Sequence, residues 1–138
     1  MSTWRRNAIE ILPQCRQELQ ASDANLYTVF REMKPFLLRA HIAQNLSLLK
    51  KIYAFAEWCM RQKAPHIRNA AGVGFYEHLV DDPETMQAIS RWVKKDIYLE
   101  IRNLLEYRLG DEEALAALDA EYGIPNQNHL RSAYKRGK

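Results

Sequence analysis

From Trp4 to Tyr122 the apolar residues recur at three- and four-residue intervals. Nowhere does a β-branched run alternate with polar residues beside hairpin turn chemistry. A chain built this way can bury its apolar stripes only by packing helix on helix. The expected fold is therefore all-α: a single-domain bundle of six or seven helices over residues 1–122, followed by a basic C-terminal tail, 123–138. At 138 residues the chain can bury a sufficient core without disulfides or a metal. Cys15 and Cys59 have no C-x-x-C spacing and read as reduced thiols. No apolar run is long enough to span a membrane, and Glu10, Pro13 and Gln14 interrupt any signal-peptide core behind Arg5 and Arg6. On these features a cytoplasmic location is expected.

Punctuation marks out the helices. A first helix runs from Trp4 to about Gln20, kinked or split at Pro13. A second starts near Leu26 and meets a kink or break at Pro35. Asn45 caps a third, Leu46 to Gln62, which is apolar on more than one side and so central. A fourth covers His66 to Val80, where Gly72 and Gly74 imply close approach by a neighbour. Asp82-Pro83-Glu84 opens a fifth that ends near Trp92. Asp96 caps a sixth that stops at Gly110, and Asp111 caps a last helix to Tyr122.

The net charge of +3 conceals an uneven distribution. Residues 1–80 carry +5, residues 81–122 carry −6 and residues 123–138 carry +4. The acidic block holds more carboxylates than its own basic residues can pair. A surface of that sign attracts and steers a basic partner. The candidate partner-binding residues are Asp81, Asp82, Glu84, Glu106, Asp111, Glu112 and Glu113, with Trp92 and Tyr107 as aromatic anchors.

Other chemistries fit less well. Glu57, Glu77 and His78 could line a small enzyme's pocket, but adjacent helix residues do not share a face. A two-carboxylate metal bundle needs Glu-x-x-His on two helices, and the chain has none. Gly72-Val73-Gly74 lacks both the third glycine and the preceding strand of a phosphate loop. The sequence calls for no cofactor and no metal. A nucleic-acid module could use the basic tail. The candidate recognition helix after Gly110, however, carries five acids and no Lys or Arg, which disfavours nucleic acid.

Three stretches carry a family resemblance. Ile52-Tyr53-Ala54-Phe55-Ala56-Glu57-Trp58-Cys59, the run Asn69 to Leu79, and Arg91-Trp92-Val93 resemble an uncharacterised family of small all-helical bacterial proteins of the polymorphic-toxin immunity type. The similarity runs from about Trp4 to Tyr122. It implies an immunity protein that binds and neutralises a cognate toxin domain, with no catalytic residues. The acidic block would complement a basic toxin surface.

Overall fold

The computed structural model describes residues 1–125. Among them are nine α-helices and two 3-10 segments, packed around one core, with no strand. The helices are α1 (Thr3–Ile11), α2 (Arg16–Gln20), α3 (Leu26–Ala43), α4 (Leu46–Met60), α5 (Pro65–Gly74), α6 (Pro83–Met86), α7 (Ile89–Trp92), α8 (Lys95–Leu109) and α9 (Glu112–Glu121). The tail from Asn126 to Lys138 lies outside the described residues.

Two expected helices split, which accounts for nine in place of seven. Pro13 starts a 3-10 turn, Pro13–Cys15, between α1 and α2. The fifth divides into α6 and α7. The fourth ends early: α5 stops at Gly74 and continues as a 3-10 segment, Tyr76–Val80. Pro35 breaks nothing, since α3 runs through it. Pro35 and Arg31 are both exposed. The Arg31 carbonyl freed by the missing N–H can therefore turn to water.

The caps follow the sequence in part. Asn45 Oδ1 accepts from the Leu48 N–H at 3.2 Å, and Asp111 Oδ1 from the Glu113 and Ala114 N–H groups at 3.0 and 3.1 Å. Gly110 ends α8 at φ +59°, in the left-handed region. Asp96 is not the cap of α8. Lys94 precedes the helix, and the Asp96 carboxylate instead accepts from Arg61 at 2.8 Å.

The centre of the molecule is aromatic. Phe30 on α3 meets Phe55 on α4 and Phe75 beyond α5, with ring centroids 5.7 and 5.5 Å apart. Tyr53 stands edge-on to Phe75 and stacks on Trp92 at 5.2 Å. Such pairs each add about 0.5–1.5 kcal/mol beyond area burial. Close approach at the two α5 glycines is real. A Cβ on Gly72 would lie 3.1 Å from Leu104 Cδ1, and one on Gly74 would lie 3.4 Å from the Phe30 and Tyr27 rings. The α1–α2 corner is tied by Arg5, whose guanidinium donates to the carbonyls of Leu19, Ala21 and Ala24 at 2.7–3.1 Å.

Candidate functional site

The carboxylates of the acidic block fall into two sets. The inner set holds helices together. Asp119, on the inward face of α9, is 1% exposed. Its Oδ1 accepts from the Tyr98 hydroxyl at 2.6 Å and from Arg102 Nε at 2.8 Å, and its Oδ2 accepts from the second guanidinium arm at 2.6 Å. Burial pushes the carboxyl pKa up. The bonds from Arg102 and Tyr98 outweigh that and hold it below the ordinary value. Beside this latch, Tyr122 stacks on Tyr98 at 4.1 Å and donates to the carbonyls of Val93 and Ile89 at 2.6 and 3.1 Å. Together they fasten α9 to α7 and α8.

Asp81 is the second inner carboxylate. Its side chain is 17% exposed and gathers three basic groups, His78 from three residues before it and Lys34 and Arg108 from distant parts of the chain. Arg108 grips it in a fork at 2.8 and 3.0 Å, while Lys34 Nζ and His78 Nδ1 each lie 2.8 Å from Oδ2. Burial opposes ionisation, but the bonds from Arg108, Lys34 and His78 prevail and hold the pKa well below the carboxylate range. Asp81 thus joins α3 to the segment after α5 and to α8, and its charge is compensated within the fold.

The outer set is different. Among the described residues no ion pair involves Asp82, Glu84, Glu113 or Glu121. Glu84, Glu113 and Glu121 are exposed. Glu113, Ala117 and Glu121 follow one another at four-residue spacing on α9 and so share a face. Ala117, Glu121, Ala114 and Leu118 form one wall of an open groove, and Val80, Asp81, Pro83, Met86 and Gln87 form the other. The groove holds about 910 Å³ of open space. Its lining is mainly apolar, with carboxylates at or beside its edges, which suits an amphipathic basic segment and not a small polar substrate.

The remaining candidates disperse. Glu106 pairs with Arg102 at 3.6 Å, and Asp111 is occupied as a cap. Glu112 is exposed in the first turn of α9. Tyr107 is 84% exposed on α8 but is not part of the groove lining. Trp92 turns inward onto Tyr53, so its ring is engaged in packing. Glu57 accepts from Arg61 and Lys94, whereas His78 belongs to the Asp81 cluster. The structure therefore sets two of the three enzyme candidates in separate networks. Glu77 is buried beside His78 in the 3-10 segment. Among the described residues no group of three or more His, Cys, Asp or Glu could hold a metal ion, and no helix is long and apolar enough to cross a membrane.

Sequence reasoning missed Lys34, Arg102 and Arg108 as partners of the block. It also missed the apolar floor of Val80, Met86 and the α9 alanines. The alanines left a signal, since Glu113-x-x-x-Ala117-x-x-x-Glu121 is a helix face with a small residue between two acids.

The DUF7674 family model, described as a domain of unknown function, matches residues 6–108, about three quarters of the chain. The chain belongs to that family. The match starts within α1 and ends at Arg108, the residue that clasps Asp81. The Asp81 cluster is thus complete inside the DUF7674 domain, whereas the Asp119 latch joins that domain to a helix beyond the matched residues. The groove lies between the two. No curated protein and no solved structure matches the chain.

Proposed function

We propose that this DUF7674 protein is an immunity protein, acting in the cytoplasm, that captures a basic toxin domain through the groove between the segment 80–87 and α9. The class comes from the resemblance carried by Ile52–Cys59, Asn69–Leu79 and Arg91–Val93. The location comes from the groove, and one observation carries it. Glu121, which has no ion pair among the described residues, stands at a mainly apolar cleft, while the other carboxylate of its lining, Asp81, is consumed by the fold. Apolar floor and charged rim is the usual anatomy of a protein interface. A carboxylate rim would also speed encounter with a basic surface, and salt would weaken that effect.

The test is affinity capture from the native host with the wild type and with a Glu84→Lys, Glu113→Lys, Glu121→Lys triple variant. A basic toxin domain should be retained by the wild type and lost by the variant. Co-expression of that domain should arrest growth unless the wild-type chain is present. Equal capture by both proteins, or a captured partner that harms nothing, rejects the reading.

A further inference from the structure

The end of the molecule where α3 turns into α4 lines neither the groove nor the two carboxylate clusters. The geometry points to this apex as a peripheral contact for an anionic phospholipid bilayer, with Ile42 and Leu46 entering the headgroup region and Arg39, Lys50, Lys51 and Arg91 meeting the lipid phosphates. The inference does not depend on the toxin reading.

A tight reversal builds the apex. The chain leaves α3 through Gln44, whose φ of 57° is left-handed, and the Asn45 N–H donates back to the Ala40 carbonyl at 2.9 Å. The Asn45 side chain then caps α4. The turn leaves two aliphatic side chains in water: Ile42 is 63% exposed and Leu46 is 54% exposed. Helical spacing sets a cation beside each. Arg39 precedes Ile42 by three residues on α3, and Lys50 follows Leu46 by four on α4, so each pair shares a helix face. The Arg39 guanidinium lies 4.6 Å over the Phe36 ring, which steadies it.

The charge around these tips has one sign. No Asp or Glu occurs between Glu32 and Glu57. Along their helices those two lie about 15 Å from the nearer aliphatic tip. That exceeds the Debye length of about 8 Å at physiological ionic strength. Glu57 is moreover taken by Arg61 and Lys94. The short helix α7 adds a further cation. The Tyr53 hydroxyl lies 2.7 Å from His41 Nε2 and the Tyr53 ring stacks on Trp92, which seats α7 against the end of α3. Burial lowers the His41 pKa, and the charge of its exposed neighbour Arg91 lowers it further. Among the described residues no ion pair involves Arg39, Lys50, Lys51 or Arg91.

The charge asks for an anionic partner, and the aliphatic tips choose which. Nucleic acid offers phosphates but gains little from Ile42 and Leu46, because its bases stack on aromatic and guanidinium planes. A bilayer interface accepts both parts. Apolar groups sink to the acyl boundary while Lys and Arg reach up to the headgroups. Among the described residues no helix is long and apolar enough to cross a membrane, so the contact is with the surface alone. Anchoring of this kind is reversible and weakened by salt.

The test is sedimentation of the full-length chain with phosphatidylcholine vesicles, with and without phosphatidylglycerol, at low salt. The wild type should sediment only when phosphatidylglycerol is present. Lys50→Gln, Lys51→Gln should weaken partitioning about thirtyfold, at about fivefold per charge. Ile42→Ser, Leu46→Ser should weaken it by about tenfold or more. Arg16→Gln, Lys63→Gln removes the same charge from exposed positions elsewhere and should leave partitioning largely intact. Every variant keeps the basic segment 123–138, so the differences among them report on the apex. Equal melting temperatures would show that all are folded. Absence of wild-type binding, or equal loss in the two charge variants, overturns the inference. So does undiminished binding by the serine variant, and its retention on duplex DNA would then assign the apex to nucleic acid.

Discussion

The two ends of this molecule are held by different physics. Around α3, α4 and α5 the contacts are rings on rings: Phe30, Phe55, Phe75 and Tyr53, closed by Trp92. Between α8 and α9 the decisive contact is one buried carboxylate, Asp119, gripped by Tyr98 and Arg102. The ring contacts themselves carry no charge, although Lys34 ties α3 to Asp81 beside them. The α8–α9 end depends on Asp119 staying ionised, and so does the groove that α9 completes. The difference explains how a chain can keep a firm body while the α8–α9 edge responds to conditions. It also divides the acidic block, because a carboxylate that fastens helices is not available to a partner.

The comparison can be broken most forcefully at Phe75. Truncation to Ala at the meeting point of Phe30, Tyr53 and Tyr76 should cost about 3–5 kcal/mol in chemical denaturation. It should lower the stability of the whole domain. Asp119→Ala should cost about 3 kcal/mol, near the low end for breaking a buried pair, since Arg102 keeps 24% of its side chain exposed. Its effect should be local. Amide exchange should rise across α9 and at Tyr122 while α3 to α5 stay protected, and equal loss everywhere would erase the distinction.

Acid sharpens the contrast. The folded pKa values of Asp119 and Asp81 lie below the ordinary carboxylate value. Their stabilisation is therefore complete above about pH 5 and drains away as pH falls past about 4 toward the folded values. Unfolding measured from pH 7 to pH 3 should show this loss, with a flatter slope in Asp119→Asn. Cys59 offers a milder check on the aromatic end. It is fully buried, and burial pushes its thiol up to about 12. A thiol reagent at neutral pH should leave it unmodified until the domain unfolds globally. The smallest stability effect belongs to Glu84→Lys, Glu113→Lys and Glu121→Lys, each within about 0.5 kcal/mol of wild type.

Much of the fold was legible because it follows local rules. Asn45, Asp111 and Gly110 delimit helices through contacts with residues a few positions away, and the sequence carries all of that information. Gly72 and Gly74 announced a close neighbour, though not that it would be Leu104 and Phe30. Pro35 did not break α3, because a proline's cost depends on whether the carbonyl it frees can reach water, a tertiary fact. The site was half legible. Counting charge located the block. The pairing of Asp81 with Lys34, 47 positions away, has no periodic signature, so carboxylates that hold the fold could not be told from those that do not. The stacking of Trp92 on Tyr53 was hidden for the same reason, since the two are remote in sequence.

The central claim is that Asp81 and Asp119 belong to the fold and the outer carboxylates do not. Carbon-detected NMR titration of every Asp and Glu side chain tests it most directly. The account predicts that Asp81 and Asp119 are each more than half ionised at about pH 3.9, where an ordinary Asp is half protonated. Midpoints for these two at the ordinary value would contradict it.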